Sequence, residues 1–96
     1  MTPWKTPHLK ALASAITSLK KEEDLLSFLR DLCTTDELKE LSERWNIVQL
    51  LNKNYSYREI SEKTNISTTT ITRIAHWLNN GEGGYQTALK KMKKKK

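Results

Sequence analysis

The sequence predicts an all-α protein of about six helices built around a helix-turn-helix. Three observations lead there. Only 36% of the 96 residues are apolar, 29% are charged, and there are three Gly and two Pro, a balance that suits helices with wide solvated faces rather than a β sandwich. Apolar residues return at i, i+3 and i+4 in successive segments, the spacing of one helical face. Two capping signatures, a Ser or Thr followed three residues later by Glu, occur at Thr34–Glu37 and Ser56–Glu59.

Taken in order, Pro7 suits a first helical turn, and Leu9, Leu12, Ala13, Ile16 and Leu19 follow on one face. Glu22, Glu23 and Asp24 favour the positive end of a second helix, whose apolar side is Leu25, Leu26, Phe28, Leu29 and Leu32. Thr34 and Glu37 open a third helix with Leu38, Leu41, Trp45, Val48 and Leu51 on one stripe, broadened by Ile47 and Leu50. A stripe so wide calls for partners on two sides, more than a chain this short readily supplies, so a homodimer is predicted. Asn52, Lys53 and Asn54 end that helix. Gly81, Gly83 and Gly84 are expected to stop the fifth helix through left-handed backbone. A sixth, short helix runs from Tyr85 through Ala88, Leu89 and Met92. The predicted organisation is one helical domain over residues 1–89 and a basic lysine tail over 90–96, disordered at its end.

Residues 56–78 hold the motif. Ser56 and Glu59 cap its first helix, Thr64 and Asn65 break it, Ile66 is a buried pin, and Ser67 caps a second helix. Ile71, Ile74, Ala75 and Leu78 point inward on that helix, leaving Thr69, Thr72, Arg73 and His76 outside, with Thr68 beside them. Threonine offers a hydroxyl to bases or phosphates and a methyl to thymine, and arginine reads guanine or grips phosphate. Tyr57, Arg58 and Ser61 of the first helix are placed to reach phosphates or groove edges.

The formal charge is +6, and residues 90–96 supply six lysines, so the body of the chain is neutral. Residues 21–50 are acidic overall and residues 52–79 basic, which fits a polyanion on the motif side. Cys33, the single cysteine, allows no intramolecular disulfide and no thiolate cluster, in keeping with a reducing cytoplasm. No signal-peptide pattern is present, and no apolar run approaches the roughly twenty residues that span a bilayer. Trp4 and Trp45 read as packing residues, and His8, His76 and Cys33 have no ligand spacing, so no metal and no cofactor are expected. Cys33 has no histidine partner in the pattern and no glycine-rich phosphate loop precedes a lysine, so the chain does not read as an enzyme.

From Leu32 to Leu78 the residues Thr34, Asp36-Glu37, Leu41, Arg44, Ile47-Val48, Arg58-Glu59 and Thr70-Ile71-Thr72-Arg73 stand in an order that resembles the Trp repressor superfamily. Leu78-Asn79-Asn80-Gly81 and Gly84-Tyr85 extend the likeness to its YerC/YecD type. The resemblance implies an intertwined, all-helical homodimer that presents two recognition helices to successive major grooves of double-stranded DNA, about 34 Å apart, as a transcriptional repressor. In tryptophan-sensing members two arginines hold the indole; they match Arg44 and Arg73, and Thr34 and Thr70 match positions near that ligand. Those members keep a glycine where this chain has Ile74 and a serine where it has Trp77. Both changes add bulk where the indole enters. Tryptophan is therefore disfavoured as effector, and the identity of any other small molecule stays open.

Arg73 and Trp77 are i and i+4, within reach of a cation–π contact. One expectation is that Trp77 fills the pocket in place of a corepressor; the other is an ordinary core or interface aromatic. The lysine end supports a rival function, a low-specificity architectural DNA-binding protein held by counterion release. A protein-interaction module on the same fold is a third.

Overall fold

A computed structural model describes residues 3–94. Among them the backbone forms six helices: α1 (Pro7–Ser18), α2 (Glu22–Leu32), α3 (Thr35–Asn52), α4 (Tyr57–Thr64), α5 (Thr68–Asn80) and α6 (Gly84–Lys94). Packing divides the chain into two units, one ending at Leu38 and the other starting at Lys39.

In the first unit, Thr6 caps α1 by accepting the Leu9 N–H (3.1 Å), with Pro7 at the first helical position as its fixed φ favours. Three acidic residues, Glu22, Glu23 and Asp24, occupy the first turn of α2, and Arg30 lies in its last, both signs matching the helix dipole. Neither α1 nor α2 contains a buried residue. Leu12, Ile16, Leu25, Phe28 and Leu29 are half-buried, while Leu9, Leu26 and Leu32 are exposed. The Thr34–Glu37 box is formed: Glu37 Oε1 accepts the Thr34 N–H (2.8 Å) and Thr34 Oγ1 accepts the Glu37 N–H (3.1 Å).

The second unit holds the core. Ile47, Val48, Ile60 and Ile71 are 0% exposed, and Ile74 completes the cluster. Trp45, Leu50, Leu51, Tyr55, Ile66, Leu78, Tyr85 and Leu89 pack around it. Helix α3 therefore supplies the floor, α4 and α5 one wall and α6 another. Of the broad stripe expected on α3, Ile47 and Val48 are enclosed, whereas Leu41 is exposed. Helix α3 ends where Asn54 turns left-handed (φ 68°), a conformation that asparagine tolerates better than most side chains.

Two details differ from the sequence expectation. Gly81 ends α5 at φ −89°, outside the left-handed region; glycine is needed there because a Cβ would strike the Trp77 carbonyl oxygen, which accepts the Gly81 N–H. Left-handed backbone falls to Gly83 (φ 86°), and Gly84 begins α6 instead of stopping α5. The lysines at 90, 91 and 93 continue α6, whose Tyr85 and Leu89 pack on the core. The disordered tip expected for the lysine tail falls on residues 95–96, outside the described residues. No helix among the described residues is long and apolar enough to cross a membrane.

Candidate nucleic-acid interface

Helix α4 starts with a complete capping box. Ser56 Oγ accepts the Glu59 N–H (3.0 Å) and Glu59 Oε1 accepts the Ser56 N–H (2.8 Å). The Ser56 backbone N–H first, and the Ser56 hydroxyl second, hold the Glu59 carboxyl below its ordinary pKa, against a slight desolvation and with a still smaller push from Lys63. The helix closes at Asn65, which adopts the left-handed conformation (φ 63°) and donates its N–H to the Ser61 carbonyl (2.8 Å). Thr64 Oγ1 donates to the Ile60 carbonyl (2.7 Å), and the chain reverses over half-buried Ile66. Ser67 then caps α5 by accepting the Thr70 N–H (3.2 Å). With Ile60 beneath α4 and Ile71, Ile74 and Ala75 beneath α5, the two helices pack against each other on the core.

At 100° per residue, the side of α5 opposite its buried residues carries Thr69, Arg73, His76 and Asn80. Thr68 and Thr72 lie on one flank, Thr70 and Trp77 on the other, and all of these side chains are exposed. Asn80 is a surface residue that sequence reasoning left out: its Nδ2 donates to the His76 carbonyl (3.2 Å) and lies 3.4 Å from His76 Nδ1. On α4, Tyr57 and Arg58 are exposed and Ser61 is half-buried. Arg58 sits 3.6 Å from Glu62 in an open pair that water screens, so the guanidinium is free to exchange partners.

The flank of α5 that carries Thr70 and Trp77 borders a cleft of about 440 Å³ lined by Glu40, Arg44, Thr70, Arg73, Ile74, Trp77 and Tyr85. Five of the six effector-pocket candidates thus meet in one place. Thr34 is not among the lining residues; it belongs to the first unit, where its hydroxyl caps α3. Trp77 does not fill the cleft. It stands at the edge, 57% exposed, with its ring edge-on to His76 (centroids 5.2 Å apart). Nor does Arg73 lie over it: the cations seated on rings among the described residues are Lys5 on Trp4 and Lys63 on Tyr55. Ile74 is instead a core residue, 7% exposed, and only its edge reaches the cleft.

Two lining residues escaped sequence reasoning. Glu40 pairs with Arg44 (3.2 Å), and Tyr85 comes from α6, where its ring lies 6.4 Å from Trp45. The i, i+4 spacing of Glu40 and Arg44 was a usable signal. No group of three or more potential metal-ligating side chains occurs among the described residues.

A short capped helix, a left-handed turn and a second helix with a buried underside and a polar outer face together define a helix-turn-helix protein. A family model described as Trp repressor protein matches residues 7–93, and the chain belongs to that family, one of DNA-binding regulators. It is 36% identical over 85 residues to the YerC protein of Bacillus subtilis (strain 168), covering 88% of this chain and 82% of that one. The crystal structure of a TrpR-like protein from Eubacterium eligens ATCC 27750 superposes with a TM-score of 0.85 at 36% identity, over 92% of this chain and 91% of the other. A second solved structure, from Staphylococcus aureus, gives a TM-score of 0.85 at 31% identity, over 93% and 89%.

Proposed function

We propose that the chain is a sequence-specific transcriptional repressor that binds operator DNA as a homodimer through α4 and α5. The observation that carries this reading is the outer face of α5, where Thr69, Arg73 and His76 stand exposed on a helix fixed from below by Ile71, Ile74 and Ala75. A rigid helix with a polar, donor-rich face is what major-groove readout requires. Arg73 has no ion-pair partner among the described residues and so keeps its full donor set for guanine or phosphate. Tyr57, Arg58 and Ser61 would position the motif on the backbone, with Thr68, Thr70 and Thr72 at its edges.

Dimerisation is supported by the first unit, whose two helices bury no residue and leave Leu26 and Leu32 more than half exposed. Such faces are covered in a stable helical protein. The cleft at Arg44 and Arg73 is the candidate effector site. Its wall includes Trp77 and Glu40, and tryptophan is disfavoured as its occupant. The work of such a protein would be cytoplasmic and would need no cofactor.

Selection from a random duplex pool tests the reading: a repressor enriches a two-fold symmetric site whose halves are about one helical turn apart. The rival architectural reading draws on the exposed lysines at 90, 91 and 93 of α6, and predicts no enrichment.

A further inference from the structure

Hydroxyls crowd the start of α5, and their hydrogen bonds divide them. Ser67 Oγ accepts the Thr70 N–H and lies 3.1 Å from Thr70 Oγ1, to which it donates. Thr72 Oγ1 donates to the Thr68 carbonyl (2.8 Å). A hydroxyl has one proton. With that proton held inside the helix, neither Ser67 nor Thr72 can donate to a phosphate oxygen or a base acceptor without giving up an existing bond.

The Thr69 hydroxyl is different. Like the Thr68 hydroxyl it has no hydrogen-bond partner among the described residues and is exposed, but Thr68 and Thr70 lie on the flanks, whereas Thr69 stands at the middle of the outer face with Arg73 and His76. It also occupies the first turn of α5, and the N-terminal residues of a recognition helix are those that meet base edges. We infer that Thr69 is the specificity-determining hydroxyl of α5, reading one base edge in each half-site, while Ser67 and Thr72 serve the helix itself. The inference rests on the operator-binding reading and names the side chain that carries its selectivity. Thr69 offers one donor and two acceptor positions together with a methyl group, so it fits a base that presents a major-groove acceptor, with thymine adding its own methyl contact.

The test compares site selection by the wild-type chain, Thr69→Val and Thr87→Val from the same random duplex pool; Thr87 lies on α6, outside the motif, with its hydroxyl donated to the Gly83 carbonyl (3.0 Å). Valine keeps the shape and the helix propensity of threonine and removes only the hydroxyl. Thermal unfolding by circular dichroism establishes that each variant is folded. Thr69→Val is expected to relax the preference at one base per half-site by about 3- to 10-fold, the scale of a single hydrogen bond, and to leave the other positions unchanged. Thr87→Val is expected to reproduce the wild-type profile. A Thr69→Val profile identical to wild type overturns the inference alone. So does a uniform loss across all sequences, which marks a phosphate contact, and so does an equal relaxation by Thr87→Val. A wild-type chain that enriches no sequence overturns the operator reading, and this inference with it.

Discussion

Arg44 of α3 and Arg73 of α5 face one cleft, 29 positions apart in sequence and joined by the Ile47–Ile71–Ile74 core beneath them. Arg44 is already paired with Glu40, whereas Arg73 also stands on the outer face of α5. A ligand that engaged Arg73 would therefore change the electrostatics of the reading helix directly. A true effector typically shifts DNA affinity by about 5- to 150-fold. With Trp77 and Ile74 on the wall, free tryptophan is expected to shift operator affinity by less than about twofold, measured by fluorescence anisotropy with and without saturating amino acid.

The motif depends on its buried underside. Ile71 is 0% exposed, and Ile71→Ala removes its outer methylenes from the centre of the core. The expected loss is about 2 to 5 kcal/mol in a urea titration, with DNA binding falling in step with the folded fraction. A loss under about 1 kcal/mol would mean that the helices are held by something other than this cluster.

Acid weakens the first cap of the motif. The folded Glu59 carboxyl is held below its ordinary value of 4.5 by the Ser56 bonds, so its contribution is present in full above that value. Between the ordinary and the lowered value the unfolded chain binds more protons than the folded one, and stability falls as pH falls through that window. Glu59→Gln removes this titration. The wild-type urea midpoint is expected to drop more than that of the variant as pH falls from neutral through the window between the ordinary and the lowered carboxyl value.

Two of the three glycines at the α5–α6 junction respond oppositely to alanine. Gly81→Ala drives a Cβ into the Trp77 carbonyl and is expected to cost about 1 to 3 kcal/mol. Gly84→Ala meets nothing within 4 Å at the first residue of α6, and is expected to gain about 0.4 to 1 kcal/mol by restricting the unfolded chain. Paired thermal melts check the two signs.

The exposed leucines of α2 test the assembly. Leu26→Lys places a charge on a face that is 57% exposed in the single chain. In a monomer the change is nearly neutral; in a dimer it is expected to shift sedimentation toward the monomer and to make the melting temperature depend more steeply on concentration.

Helices α1, α3, α4 and α5 were legible because each carries its own start signal. The two capping boxes and Pro7 opened α1, α3 and α4 at the expected places, and the inward set Ile71, Ile74 and Ala75 was read from period alone. The cleft was legible only in part. Arg44, Thr70 and Arg73 came from family resemblance, but Tyr85 reaches the cleft through the stacking of α6 beside Trp45, a long-range packing fact with no local pattern. The orientation of Trp77 was equally hidden, since i, i+4 spacing permits a contact with Arg73 without requiring it. Gly81 shows the same limit: its need for glycine is a steric meeting with one carbonyl, not a dihedral that composition reveals.

The central claim is that α5 reads base sequence. Its most direct test is the affinity of the full chain for its selected duplex against a scrambled duplex of equal length, at fixed salt near physiological strength. Site-specific recognition predicts a preference of at least about a thousandfold. Equal affinity for the two duplexes, with a steep dependence on salt, would contradict it.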